Sequence, residues 1–154
     1  MDALTLLQRD HDHVKHLLEE LASTTERAEK TRTEGFRTLA DDLAVHEAIE
    51  EEIFYPALKE HAETRSIVLE AYEEHDVVDS ILGELRGTDV SDETWAAKFT
   101  VMKENLEHHI EEEEGDMFKK ARQIFDEDEL VELGERMRTR KDELTASSTN
   151  ARSS

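Results

Sequence analysis

Apolar residues recur at steps of three and four along most of this chain, the spacing of one helix face. Leu4, Leu7, His11, Val14, Leu18 and Leu21 form the first stripe and predict a helix from about Asp2 to Thr24. His11 stands in the stripe, whereas His13 and His16 fall off it. The polar stretch STTERAEKTRTE then makes a connection. A second helix begins near Gly35, with Phe36, Leu39, Leu43, His46, Glu50, Ile53 and Ala57 in line, and Pro56 near its end predicts a kink or stop. The third stripe is Val68, Ala71, His75, Val78, Leu82 and Leu85. Gly87 supplies a turn, and Ser91 with Thr94 and nearby acids suits a new helix start. The fourth stripe is Trp95, Phe99, Met102, Leu106, His109, Glu113 and Met117.

After Asp126, Leu130, Leu133, Met137 and Leu144 predict a short capping helix, and residues 146–154 read as a disordered tail. No stretch alternates as a strand does. The fold class is therefore all-α, an antiparallel four-helix bundle with a short C-terminal fifth helix, in one domain over residues 1–145.

The run HHIEEEE at residues 108–114 resolves by period. His109 and Glu113 continue the apolar stripe. His108, Glu111, Glu112 and Glu114 point elsewhere, as a solvated face.

The two halves of the chain repeat one another. His11, Asp12, Val14, Leu18 and Leu21 recur as His75, Asp76, Val78, Leu82 and Leu85, an offset of 75 − 11 = 64. Phe36, Leu43, His46 and Glu50 recur as Phe99, Leu106, His109 and Glu113, an offset of 109 − 46 = 63. Each half is a helical hairpin with a lone His on its first helix and H-x-x-x-E on its second. A site shared between the halves has near two-fold symmetry.

Charge narrows the function. The formal net charge is −21, which repels phosphate backbones and anionic lipid, so no nucleic acid and no membrane partner is expected. Cys is absent, which excludes disulfides and thiolate metal sites. No signal peptide or spanning apolar stretch is visible, and a cytoplasmic protein is expected.

The inward His and Glu residues carry the chemistry. Residues four apart on a helix lie only about 40° apart round its axis, so His46 with Glu50, and His109 with Glu113, can each converge on one point. A buried carboxylate needs a partner or a metal. One His on an apolar stripe is ordinarily a satisfied core residue. Four His and two Glu, repeated between halves, make a metal site instead. Six ligands exceed the needs of one tetrahedral zinc and suit two ions bridged by the carboxylates. Imidazole and carboxylate without sulfur fit iron, and manganese or zinc less well. The zinc-protease motif H-E-x-x-H, the Glu-x-x-His of ferritin-like bundles and the EF-hand loop are all absent.

The stretches DHDHVKHLLEEL, HEAIEEEIFYPALKE, YEEHDVVDSILGEL and HHIEEEEGDMFKKAR resemble the hemerythrin-like, HHE cation-binding family over roughly residues 2–122. LGERMRTRKDEL is similar to the short fifth helix of such proteins. The resemblance implies a non-haem di-iron site: two iron ions (Fe2+/Fe3+) with a bridging oxo or hydroxo group. It places His11 and His46 on one iron, His75 and His109 on the other, and Glu50 and Glu113 as bridges. Oxygen-carrying hemerythrins have a second His on the third helix, four residues from the first. Ala71 and Asp79 stand there, so one ligand is missing. Glu47 can fill that place, because only the first half carries a carboxylate there and the aligned residue is Ile110. Tyr55 is the weaker candidate, since its turn of the helix points less directly inward.

Two functions are open to such a centre. One is a protein that binds O2, NO or peroxide, or stores or senses iron. The other is a di-iron enzyme that decomposes hydrogen peroxide or acts as an oxidase. A third, metal-free reading pairs the inward His and Glu with one another.

Overall fold

The computed structural model describes residues 1–153, with side chains to residue 147. Helix α1 (Ala3–Ala22) starts at Asp2, whose carboxylate accepts from the Thr5 amide at 2.8 Å. Helix α2 (Glu29–Ile49) runs through a π-helical turn (Glu50–Phe54) into α3 (Tyr55–Lys59). Helix α4 (Ala62–Arg86) leads to α5 (Glu93–Glu112), which is capped by Asp92. A second π-helical turn (Glu113–Met117) continues into α6 (Phe118–Ile124). The last helix, α7, spans Glu127–Ser153. Among the described residues no helix is long and apolar enough to cross a membrane.

Helix α1 packs on α2, α4 packs on α5, and α1 also meets α5, which closes the four-helix bundle. Helix α7 lies across α1 and α2. Two elements depart from the sequence expectation. Helix α2 begins at Glu29 rather than near Gly35, because Arg32 is buried and ties the first turn to Thr24 and Val90. The final helix is longer than a short cap, and the tail expected over 146–154 lies almost wholly outside the residues whose side chains are described.

Pro56 falls in the first turn of α3, where the absent N–H is least missed. Helix α7 opens with a reciprocal cap: Asp126 accepts from the Glu129 amide at 2.8 Å, and Glu129 accepts from the Asp126 amide at 3.0 Å. Gly134 lets α7 cross the start of α1, since a Cβ there would stand 2.7 Å from the Ala3 nitrogen.

The apolar core is in two parts. One gathers Leu7, Ile49, Phe54, Ala71, Met117 and Phe118 with Leu133 and Met137 of α7. The other gathers Val14, Leu43, Val78, Leu106, Phe99 and Trp95. On each core helix a His or Glu stands between the two parts: His11 between Leu7 and Val14, His75 between Ala71 and Val78. The polar side chains thus form one layer across the middle of the bundle.

Candidate metal centre

All six inward residues of the repeat meet in that layer. His11, His46, His75, His109, Glu50 and Glu113 are buried, with Glu50 0% and Glu113 1% exposed. Each imidazole turns its Nε2 to a carboxylate. His46 and His75 approach Glu50 Oε1 at 3.1 and 3.3 Å. His11 approaches Glu113 Oε1 at 3.3 Å, and His109 approaches Glu113 Oε2 at 3.1 Å. The rings of His11 and His46 lie 4.9 Å apart, and those of His75 and His109 5.0 Å apart.

The outer nitrogens are held just as regularly. Nδ1 of His46 meets Asp10 at 3.0 Å, and Nδ1 of His109 meets Glu74 at 2.8 Å. Nδ1 of His11 meets Glu114 at 2.8 Å, and Nδ1 of His75 meets Glu51 at 3.2 Å. A carboxylate on Nδ1 keeps the proton there and leaves the Nε2 lone pair facing inward, as a ligand imidazole requires. The repeat carries these partners too. Asp10 and Glu74 each precede the first-helix His, and Glu51 and Glu114 each follow the second-helix Glu. Reading only the inward stripe missed them. Lys141 of α7 reaches into the same layer and pairs with Asp10.

The inward atoms fall into two groups that could each hold a cation. One comprises His11, His46, Glu50 and Glu113; the other comprises Glu50, His75 and His109. Glu50 belongs to both. His11 Nε2, both Glu50 oxygens and Glu113 Oε1 are buried without a hydrogen-bond partner. Buried polar atoms are ordinarily satisfied. Orphaned lone pairs aimed at one region, from imidazole and carboxylate alone, fit oxygen- and nitrogen-preferring cations.

Electrostatics gives the same picture. Burial alone raises the Glu113 carboxyl, but its close polar neighbours Glu50, His109 and His11 hold it well below the usual range. Burial disfavours charge on His46, yet the charge on Glu50 and the bond to Asp10 push it well above an ordinary imidazole. Against the same opposition His75 is pushed up to about 9, by Glu50 and Glu47. His109 reaches about 10, by Glu113 and Glu74. Protons on these imidazoles and a bound cation are alternative ways to balance Glu50 and Glu113.

Tyr55 and Glu47, the two candidates for the missing ligand, both lie beside His75. The Tyr55 hydroxyl donates to Glu113 Oε2 at 2.6 Å and lies 3.3 Å from His75 Nε2 and 3.5 Å from His109 Nε2. In a straight α-helix it would sit about 140° round from Glu50. Instead the Tyr55 amide bonds to the Glu50 carbonyl, closing a π turn that brings residue 55 back to the face of residue 50. The same turn recurs at Glu113, where the Phe118 amide bonds to the Glu113 carbonyl. Tyr55 and Phe118 are therefore equivalent, and Phe118 stacks on His11 at 6.2 Å. Burial pushes the Tyr55 phenol well up, with the charges of Glu113 and Glu50 adding to it. Glu47 is buried, and its carboxylate groups with Glu51 and with His75, which is also a member of the second inner set. Burial moves it to about 8, partly opposed by His75 and reinforced by Asp79.

Comparison with known proteins points to one family. The family model for the hemerythrin HHE cation binding domain matches residues 2–121. An uncharacterized protein of Mycobacterium tuberculosis, Rv2633c, is 30% identical over 148 residues, covering 96% of this chain and 89% of its own. The uncharacterized Mycobacterium bovis protein Mb2666c matches equally. A crystal structure of a hemerythrin HHE cation binding domain-containing protein from Mycobacterium kansasii, a homologue of Rv2633c, superposes with a TM-score of 0.86. It is 28% identical, over 97% of this chain and 91% of that one.

Proposed function

The chain belongs to the hemerythrin HHE cation-binding family, and from that premise we propose that it holds two iron ions at the bundle centre and binds O2 or a related small ligand there. The observation that carries this reading is Glu50, whose carboxylate is common to two separate groups of imidazoles. One carboxylate between two pairs of His is the arrangement a bridged pair of ions needs. A pair of ferrous ions so held supplies electrons for reversible binding or reduction of a small oxidising ligand.

The chain's own residues do the rest. His11 and His46 serve one position, His75 and His109 the other, and Glu113 reaches both sides through its two oxygens. Asp10, Glu51, Glu74 and Glu114 orient the four rings. Tyr55 offers an oxygen on the His75–His109 side, whereas Phe118 presents an apolar ring to His11 on the other. Leu7, Ile49, Phe118 and Val14 border the layer and keep water from it.

A second reading, an enzyme that decomposes hydrogen peroxide, is favoured by the Tyr55 hydroxyl. It hydrogen-bonds to Glu113, where it can give or take a proton beside the centre, and Phe118 has no such group. Iron content of protein purified without chelator tests the shared claim, with about two irons per chain expected. One iron, or zinc alone, rejects it. Stable, reversible spectral change on exposing the ferrous protein to O2 supports the binding protein. Gas evolution from peroxide, lost in Glu50→Ala and reduced in Tyr55→Phe, supports the enzyme.

A further inference from the structure

A second cavity lies at the other end of the bundle, between α2, α4 and the start of α5, with a volume of about 330 Å³. Trp95 in its wall is fourteen residues from His109 on one helix, about 21 Å at 1.5 Å per residue. The cavity therefore shares no side chain with the metal centre. Phe36, Leu85, Val90 and Trp95 give it apolar surface. Arg37 and Arg86, both exposed, line it with Asp41.

Two polar features stand out in the apolar packing around this place. Trp95 is 1% exposed, and its indole N–H meets no acceptor. Arg32 lies over its ring at 4.7 Å and Phe99 stacks parallel to it at 5.3 Å. Phe36 meets the same ring nearly at right angles at 6.3 Å, so Trp95 is held from several sides in the cavity wall. A buried donor without an acceptor is uncommon and calls for a partner.

The second feature is Arg32. It is 5% exposed, and its hydrogen bonds go to Thr24 Oγ1, the Thr24 carbonyl and the Val90 carbonyl, all neutral. A buried guanidinium ordinarily faces a counter-charge. Two guanidiniums, those of Arg37 and Arg86, line one cavity of a chain whose net charge is −21, and a third, that of Arg32, lies over the Trp95 ring in its wall.

We propose that this cavity binds a small amphipathic anion, a carboxylate on an aromatic or short aliphatic body. The carboxylate faces Arg37 and Arg86, whose planar guanidiniums match it. The body lies against Phe36, Leu85, Val90 and the Trp95 ring. A compact hydrophilic anion leaves the apolar walls without use, and a polyanion is repelled by the surrounding acidic surface.

Trp95 is the single tryptophan, so its emission reports directly on the cavity. Phenylacetate titrated into the full-length protein as purified should change that emission saturably. Acetate lacks the body and phenylacetamide lacks the charge; each should bind at least about tenfold more weakly. The double variant Arg37→Gln, Arg86→Gln should lose about tenfold or more in phenylacetate affinity, with iron content and melting unchanged. Arg86 also borders the groove of Glu47, Glu51 and Asp79, so Arg37→Gln alone should reproduce part of the loss. A change that does not saturate overturns the proposal. Equal binding of acetate or phenylacetamide, or undiminished affinity in the double variant, does so too. The binding readouts do not depend on iron, so the proposal and the di-iron reading fail separately.

Discussion

The Tyr55 hydroxyl donates to Glu113 at 2.6 Å, joining the first half of the chain to the second across the middle of the bundle. Glu113 is 1% exposed and accepts there with no water to replace a lost donor. Tyr55→Phe keeps the ring and removes the donor. A hydrogen bond to a buried charge is worth about 1.5–3 kcal/mol. The chelator-treated variant should therefore melt several degrees below the chelator-treated parent. Equal melting temperatures by circular dichroism would count against a direct Tyr55–Glu113 bond.

The carboxylates on the outer nitrogens should matter nearly as much as the ligands. Glu114→Gln removes the charge behind His11, and Asp10→Asn removes the one behind His46. Each should lower cation affinity about 10- to 100-fold, read by competition with a chelator. Glu111→Gln, an exposed change on the same helix, serves as the control and should leave affinity alone.

Proton balance sets the response to pH. His75 and His109 have folded-state values of about 9 and about 10, above the unfolded value of about 6.5. Their contribution to the stability of chelator-treated protein is complete below about pH 6.5 and is lost as pH rises through 9 and 10. The metal-loaded protein needs these imidazoles neutral, so it gains relative to the metal-free form over the same window. Melting temperatures of the two forms should diverge between about pH 7 and 10, the metal-free one falling. Parallel curves would refute the assignment.

Gly134→Ala tests the seat of α7. The added methyl meets the backbone of Ala3, which cannot move aside as a flexible side chain would. A cost of about 1–3 kcal/mol is expected, seen as a lower midpoint in denaturant, with iron content retained. An unchanged midpoint would mean that α7 shifts freely on α1.

His109→Ala should abolish loading at the position it shares with His75, leaving about one iron per chain or fewer. Unchanged metal content would place the inward register of α5 elsewhere.

The layer of His11, His46, Glu50, His75, His109 and Glu113 was legible because helical period is local. Steps of three and four choose a face before any neighbour is known, and the repeat at offsets of 63 and 64 states that both halves present the same set. The placement of Glu47 and Tyr55 was not legible in that way. A straight helix carries Tyr55 away from the centre, and only the π turn opening at Glu50 carries it back.

By itself, then, the sequence determined the number of core helices, their inner faces and the chemistry those faces bear. Tertiary structure decided how the faces meet. Glu114 holds His11 from 103 residues away, Glu51 holds His75 from the other half, and Lys141 of α7 reaches Asp10. Spacing along one helix follows from backbone geometry alone, whereas contacts between helices depend on the rotation and depth at which each packs. Those are settled only when the whole core closes around its buried charges.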